Sequence, residues 1–329
     1  MKPVTIGLIG LGTAGMRHAT AIRKSPLGSI VGVADPAPGA AASAETLQVP
    51  CWQAYDTMMR EANPDAVIVS LPHFLLPDAA LAAAGQGKHI LLEKPMGATL
   101  ERAQAVERAC ADAGVKLMVN FVHRFRAESR QAWTAIRAGA LGKALLVVDS
   151  MTSGYSAMPS WVWQKERSGG GIMMYNGVHS IDRLIWLAGA PVTGVTAAMS
   201  TLAHPVETED TLVGTLQFEN GVLGSIVQHK SQAQVTLGGW QTTVYGTNGA
   251  LRFLSGEGFE IASEKEQEKT TVAQDDRFLG AFTEFASAIQ QDRAPSPSGM
   301  DGVHALETAF ALYQASNSGQ RVAVTSRPA

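Results

Sequence analysis

A strand, a glycine turn and a helix open the chain, and that order constrains the fold more than anything else in the 329 residues. In "VTIGLIGLGTAGMRHATAIRKS", Val4, Ile6, Leu8 and Ile9 carry the pattern of a strand, and Ala14 to Lys24 has helix-forming composition. Between them Gly10, Gly12 and Gly15 stand in G-x-G-x-x-G spacing. The first glycine makes the tight turn, and the second lets the main chain approach a pyrophosphate. The third lets the helix pack close to the strand, with its N–H groups aimed at phosphate. A glycine turn alone is a weak signal. It gains weight from a second strand, "SIVGVADP", that ends at Asp35, 20 residues past Gly15, where an acid that holds an adenosine ribose belongs. Pro36, Ala37, Pro38 and Gly39 follow, with no Arg or Lys to receive a 2′-phosphate, so NAD is expected in preference to NADP. The alternative for Asp35 is a helix or turn cap.

The strand–helix rhythm continues. "PDAVIVSLP" reads as a strand, "LPDAALAAAGQG" as a helix closed by Gly85 and Gly87, "KHILLEKP" as a strand, "TLERAQAVERACADAG" as an amphipathic helix and "VKLMVNFVHRF" as a further strand. Such alternation means a doubly wound parallel sheet with helices on both faces, a Rossmann domain over residues 1–121. Ligands bind at the carboxyl ends of its strands. That edge is expected to hold Gly10, Gly12, Thr13, Ala14, Gly15, Asp35, the run Ser70, Leu71, Pro72 and His73, then Glu93, Lys94 and Asn120.

From about residue 122 the pattern changes, and residues 122–329 read as an α+β domain with a large open, mostly antiparallel sheet. "SRQAWTAIRAGALGK" is a helix. "KALLVVDSMTSGYS", "VTGVTAAMST", "DTLVGTLQFENGVLGSIVQHKSQ", "TTVYGTNGALRFL" and "GFEIASE" alternate like strands, with hairpin signals at Asn220-Gly221 and Asn248-Gly249. "GVHSIDRLIWLAGAP" is a helix with Ile181, Leu184, Ile185 and Leu187 as its apolar positions, and two more helices follow from "FLGAFTEFASAIQ" and "DGVHALETAFALYQASNSG". "EKEQEKTT" reads as a short solvated stretch. Helices would cover one face of the sheet and a second subunit the other.

Composition narrows the function classes. Lys+Arg 26 against Asp+Glu 29, a net charge of -3, favours neither nucleic acid nor an acidic membrane as partner. No apolar run is long enough to span a bilayer, and the N-terminal apolar stretch runs into glycines without a cleavage site, so a cytoplasmic enzyme is expected. Cys51 and Cys110, in helix-like or pre-helix settings without a CxxC, read as buried thiols, and the scattered histidines suggest no metal site.

These features together resemble the glucose–fructose oxidoreductase / inositol dehydrogenase / MocA family. The likeness covers nearly the whole chain: "GLIGLGTAGMRH", "VIVSLP", "GKHILLEKPM", "SGGGIMMYNGVHSIDRLIWLAG", "YGTNGAL" and "GMDGVHALETAFALYQASNSGQRV". It implies an NAD(P)-dependent oxidoreductase acting on a secondary hydroxyl of a sugar, polyol or cyclitol, built as a homodimer or homotetramer through the C-terminal sheet. It also implies that Lys94 of E-K-P lies beside the nicotinamide and that His179 is the general acid/base. Two departures stand out. Where the family pattern G-G-G-x-x-x-D-x-G-x-H has aspartate, this chain has Tyr175, followed by Asn176. After Pro72, where the family often has asparagine and then histidine, His73 and Leu76 stand.

Hydride transfer from an alcohol needs a base for the hydroxyl proton and positive charge for the alkoxide. Lys94 suits the second role and, once desolvated, proton transfer too; His179 suits the first. Tyr175, Asn176, His123, Arg124 and Trp163 are the substrate-side candidates, with Trp161 beside them. Arg124 has the alternative of a structural bridge, and the tryptophans that of core residues. Asp182, three residues after His179, is either a structural partner or a replacement carboxylate. Two other functions remain open: an NAD-retaining glycosidase using transient internal oxidation, and a non-catalytic dinucleotide-binding sensor.

Overall fold

A computed structural model describes residues 2–154, 158–233, 239–263, 267–273 and 275–325. The chain divides into two units. The first holds the residues up to Val122 together with Asp276–Val303, and the second holds His123–Asp275 and the residues from His304 onward.

The first unit is a parallel sheet of six strands: β1 (Val4–Ile9), β2 (Gly28–Ala34), β3 (Cys51–Trp52), β4 (Ala66–Val69), β5 (His89–Leu92) and β6 (Leu117–Val119). They lie in the order β3-β2-β1-β4-β5-β6. The connecting helices are α1 (Thr13–Lys24), α2 (Ala40–Leu47), α3 (Tyr55–Glu61), α4 (Leu76–Gly85) and α5 (Leu100–Asp112). Every residue of β4 is buried, and so are Ile90, Leu91 and Leu92 of β5, as a sheet covered on both faces requires. The strand order reverses between β1 and β4. A doubly wound sheet opens its ligand crevice at such a point, and the glycine turn after β1 and Ser70 after β4 both sit there.

Three local readings change. The stretch "VKLMVNFVHRF" is a strand only over Leu117–Val119, and Val122–Phe125 is a 3-10 turn. The N–H of Phe121 bonds the carbonyl of Val119, and that of Val122 bonds the carbonyl of Asn120, so the chain curls away from the ladder. Cys51 lies in a short strand and is half-buried, whereas Cys110 is buried in α5. The helix α9 (Arg277–Gln290), read from sequence as part of the C-terminal region, belongs to the first unit. It packs on α1 and β1, and a Cβ at Gly28 would stand 2.4 Å from the ring of Phe282.

The second unit is built on nine strands: β7 (Ala144–Ser153), β8 (Val192–Ser200), β9 (Thr211–Phe218), β10 (Leu223–Lys230), β11 (Trp240–Gly246), β12 (Gly249–Leu254), β13 (Gly258–Ser263), β14 (Gln267–Thr271) and β15 (Val322–Ala323). Their order is β14-β13-β12-β11-β7-β10-β9-β8-β15, antiparallel except where β10 meets β7. Asn220-Gly221 and Asn248-Gly249 turn the hairpins β9–β10 and β11–β12, with Gly221 at φ +84°. The polar stretch near 264–271 contributes β14, a largely exposed edge strand whose charges suit an unpaired edge. Its first residues, 264–266, and the 155–156 end of "KALLVVDSMTSGYS" lie outside the described residues.

Helices α6 (Ala127–Arg137) and α8 (Val178–Ala188), together with the C-terminal part of α10 (Gly299–Ser318), cover one face of this sheet. Between α6 and α8 comes a single-turn helix, α7 (Lys165–Ser168). Trp133 of α6 stacks on Trp186 of α8 at 5.6 Å, α8 reaches Asp149 of β7, and Leu312 of α10 fills the place where a Cβ at Gly214 would be. Residues of the opposite face, Leu146, Val148, Val213, Leu223 and Tyr245, alternate with the core residues. Among them Val213 and Leu223 are each 53% exposed. Among the described residues, no helix is long and apolar enough to cross a membrane.

Candidate active site

In the first unit Gly10 and Gly15 stand where a side chain would not fit, and Gly12 faces open space. Gly10 has φ +90°, and a Cβ there would stand 2.2 Å from the carbonyl oxygen of Ser70. A Cβ at Gly15 would stand 2.1 Å from the carbonyl oxygen of Gly10. At Gly12 a Cβ would meet nothing within 4 Å, so this main chain faces open space. No side chain caps α1, so the N–H groups of its first turn, beginning at Thr13 and Ala14, remain for an anion. An open glycine before an uncapped helix fits a pyrophosphate.

Asp35 follows β2. Its Oδ2 accepts the N–H of Leu11 at 2.7 Å and its Oδ1 that of Ala37 at 2.8 Å. It is therefore a cap for the glycine turn, the alternative noted from sequence. Each oxygen still has a lone pair for a ribose hydroxyl, so the two roles are compatible. Ser70, Leu71 and Pro72 are half-buried after β4, and His73 is buried.

Glu93 and Lys94 follow β5, and Asn120 follows β6. They meet a residue that the sequence reading missed. His18, on the inward face of α1 and fully buried, places Nε2 3.0 Å from Glu93 Oε1. Asn120 Nδ2 donates to the same oxygen at 2.6 Å, and the N–H of Lys94 donates to Oε2 at 3.3 Å. Burial raises the Glu93 carboxyl, but the His18 hydrogen bond and charge, the Lys94 charge and the Asn120 amide together hold it below its ordinary value. Burial pushes Lys94 down; Glu93 opposes this and Arg277 adds to it. The amide of Asn120 must turn Nδ2 toward the carboxylate, which leaves its buried Oδ1 without a partner. That orphan acceptor, at the carboxyl edge of the sheet, fits an amide donor such as a nicotinamide carboxamide. His18 was detectable in the sequence as a polar residue at the inward spacing of α1, three after Gly15.

In the second unit, "SGGGIMMYNGVHS" forms the end of α7, a π-helical turn over Met173–Gly177, then α8. The glycines make room for neighbours. A Cβ at Gly170 would stand 1.9 Å from the Tyr313 hydroxyl, and one at Gly171 would stand 1.9 Å from the Glu209 carbonyl oxygen. Glu209, absent from the sequence reading, grips this turn. Its carboxylate accepts N–H groups from Gly171 and Met173, both at 2.9 Å, and the Tyr313 hydroxyl at 2.7 Å. Burial raises its carboxyl above the ordinary value against those three bonds. Single π-turns often mark functional sites; this one carries Tyr175 and Asn176, both half-buried, and leads into His179.

His179 is the second residue of α8 and buried. Its ring lies 4.5 Å from that of His123 and 6.0 Å from that of Trp240. Asp182 is held by Arg124 through Nε and Nη2 at 2.6–3.1 Å with both side chains buried, which fits the structural-partner reading. Trp163 is half-buried in a 3-10 turn, Ser160–Trp163, and stacks on His204 at 5.5 Å. Trp161 is half-buried in the same turn, so neither tryptophan is a core residue.

The first unit thus carries a dinucleotide-type glycine loop and the second a helix-covered open sheet, a combination that fits an oxidoreductase using a nicotinamide dinucleotide. Comparison with known proteins makes this specific. A model described as oxidoreductase family, NAD-binding Rossmann fold, matches residues 4–121, and one described as oxidoreductase family, C-terminal alpha/beta domain, matches residues 134–324. The chain belongs to the glucose–fructose oxidoreductase / inositol dehydrogenase / MocA family. It is 27% identical to the 1,5-anhydro-D-fructose reductase of Ensifer adhaerens, over 95% of this chain and 96% of that protein. It is 28% identical to the inositol 2-dehydrogenase of Rhizobium meliloti, over 94% and 96%. A solved levoglucosan dehydrogenase in complex with NADH shares the fold with a TM-score of 0.90, at 23% identity, over 99% of this chain and all of that one (100%).

Proposed function

We propose that the protein is an NAD-dependent dehydrogenase for a secondary hydroxyl of a sugar, polyol or cyclitol, with Lys94 and His179 at the reacting centre. One observation carries most weight. Lys94 stands at the carboxyl edge of the sheet that bears the glycine loop, on a turn fixed by the buried His18–Glu93–Asn120 group, with its ammonium form disfavoured by burial. Bound NAD supplies the hydride acceptor. Lys94 stabilises negative charge as it develops on the substrate oxygen, and His179 takes the hydroxyl proton. Tyr175, Asn176 and Trp163 contact the substrate, with the Trp163 face suited to a ring of C–H bonds. His73, Leu71 and Asn120 line the nicotinamide. Asp35, with no cation in the four residues after it, favours the ribose of NAD over a 2′-phosphate. The names of the relatives, which act on anhydrosugar and cyclitol substrates, support the substrate class.

The test is absorbance of reduced cofactor with NAD or NADP across a panel of sugars, cyclitols and glycosides. A signal with NAD that disappears in Lys94→Ala and in His179→Ala is the expected result. A glycoside consumed without accumulation of reduced cofactor would replace the reading with transient internal oxidation. Failure to bind either dinucleotide would end it.

The open face of the second sheet supports self-association. Leu146, Val148, Val213, Leu223 and Tyr245 make an apolar strip across its central strands, of the kind that marks an interface. A second copy of the chain covers it, and Leu223→Glu is expected to lower the mass in sedimentation. An unchanged mass would refute this role of the strip.

A further inference from the structure

In the family pattern an aspartate stands where this chain has Tyr175, and Arg124 holds Asp182, the carboxylate of α8, so the packing around the His179 ring bears on how it is oriented. The structure shows a chain of buried contacts, all within the second unit, that ends on it. Asp149, fully buried on β7, accepts from Ser180, Thr242, Trp240 and Arg183. Arg183, 1% exposed on α8, also donates through Nη1 to Thr242 at 2.8 Å and through Nη2 to Ser255 at 3.3 Å. Its guanidinium lies over the rings of Trp240 and Phe253. The same Nη2 stands 2.6 Å from Nδ1 of His123.

That contact decides the state of His123. A guanidinium has donors only and keeps its proton, so Nδ1 must accept and the imidazole proton must sit on Nε2. Protonating Nδ1 would set two donors against each other in a buried site. The His123 ring, so fixed, packs at 4.5 Å and 37° on His179, and at 4.2 Å on Trp240. Arg183 is the charged group that bonds His123, and Asp149, Arg126, Glu128 and Asp182 act in turn on Arg183.

We infer that His123 is a positioning residue: Arg183 locks it as the neutral Nε2–H tautomer, and its ring, with that of Trp240, sets the plane of His179 where the family uses a carboxylate. The effect on turnover rests on the proposed role of His179; the tautomer of His123 does not. His123 is thereby moved from the substrate-contact group expected from sequence to a supporting layer.

Two substitutions separate its functions. His123→Asn places an amide oxygen near the position of Nδ1, so Arg183 keeps an acceptor while His179 loses a ring. His123→Phe keeps a ring but leaves Arg183 short of an acceptor. Since a displacement of about 1 Å at a reacting group can cost on the order of a hundredfold, His123→Asn is expected to lower kcat by about ten- to a hundredfold with KM little changed. His123→Phe is expected to retain more of kcat and to melt earlier than His123→Asn. Long-range proton–nitrogen spectra of histidine-labelled protein, with the His123 signals identified by their loss in His123→Asn, supply a readout independent of activity. The expected pattern is a bare Nδ1 and a protonated Nε2, unchanged between about pH 6 and about pH 8, the range in which an ordinary histidine titrates. A protonated Nδ1, a titrating signal, or a His123→Asn enzyme altered in KM alone would overturn the inference. If His179→Ala left turnover intact while the tautomer held, the proposed role of His179 would fail instead.

Discussion

Substituting alanine at Gly12 and at Gly15 should give opposite kinds of damage, although the two residues are three apart in one loop. Gly12 has φ −63° and ψ −171°, an extended conformation open to any L-residue, and its Cβ would meet nothing within 4 Å. In the free protein, the loss of unfolded-chain freedom favours alanine by about 0.4–1 kcal/mol. The poorer helix N-cap opposes this by up to about 1 kcal/mol, so the melting temperature should hardly move. The added methyl group projects into the space proposed for pyrophosphate. Loss of one charge-assisted hydrogen bond costs about 1.5–3 kcal/mol, so the Kd for NAD should rise by about ten- to a hundredfold. At Gly15 the Cβ would lie 2.1 Å from the carbonyl oxygen of Gly10, so main chain must move. Strain of this kind costs about 1–3 kcal/mol, and Gly15→Ala should melt earlier even without cofactor. Calorimetric titration with NAD and thermal melts of both variants read out the difference. If Gly12→Ala bound NAD as tightly as the parent, or melted like Gly15→Ala, the assignment of the open glycine to phosphate would be wrong.

Other substitutions probe the buried polar groups. The folded state holds the Glu93 carboxyl below its ordinary value, so Glu93 stabilises the fold above its unfolded pKa and loses that contribution as pH falls through the folded value. Glu93→Gln should therefore melt earlier at neutral pH and show a shallower loss on acidification in pH-dependent melts. Lys94 has the opposite sign: the fold disfavours its ammonium form, so Lys94→Met should melt later at neutral pH while turnover is lost, with the difference shrinking at high pH. Truncating one partner of a buried ion pair is strongly destabilising, so Asp182→Ala, which breaks the pair with Arg124, should cost about 3–5 kcal/mol in urea unfolding, and Arg124→Met with Asp182→Leu less. Tyr313→Phe removes one of three donors to Glu209 and should cost about 1.5–3 kcal/mol. A larger loss of kcat than of KM would show that the Glu209 grip sets the π-turn that carries Tyr175.

What could be read from the sequence was local in origin. The glycine loop is specified by three positions within six residues; the steric reasons for Gly10 and Gly15 hold, and Gly12 faces the open space that its reason calls for. The hairpins at Asn220-Gly221 and Asn248-Gly249 are equally local. The strand order, the return of α9 to the first unit and the buried polar groups depend on contacts between distant segments. An amphipathic helix such as α9 announces that it needs a surface without naming one. Asp149, Arg183 and Trp240 each look ordinary in a strand or helix, and become a network only when β7, α8 and β11 meet.

Tyr175 shows how the two kinds of information combine. The sequence alone marks it as a break in a family pattern, because a tyrosine stands where that pattern has a carboxylate. The structure adds contacts from other directions: Glu209 grips the turn from outside the motif, and a ring held by Arg183 packs against His179. A carboxylate hydrogen-bonded to an imidazole fixes its orientation and also favours its protonated form, whereas packing against a neutral ring does only the first. Restoring the carboxylate separates these effects. Tyr175→Asp should move the pH dependence of kcat toward that of a carboxylate-paired histidine, with its acid limb displaced to higher pH, because the base would need a higher pH to lose its proton. An unchanged acid limb in an active Tyr175→Asp enzyme would show that residue 175 does not address His179, and that its hydroxyl serves the substrate alone.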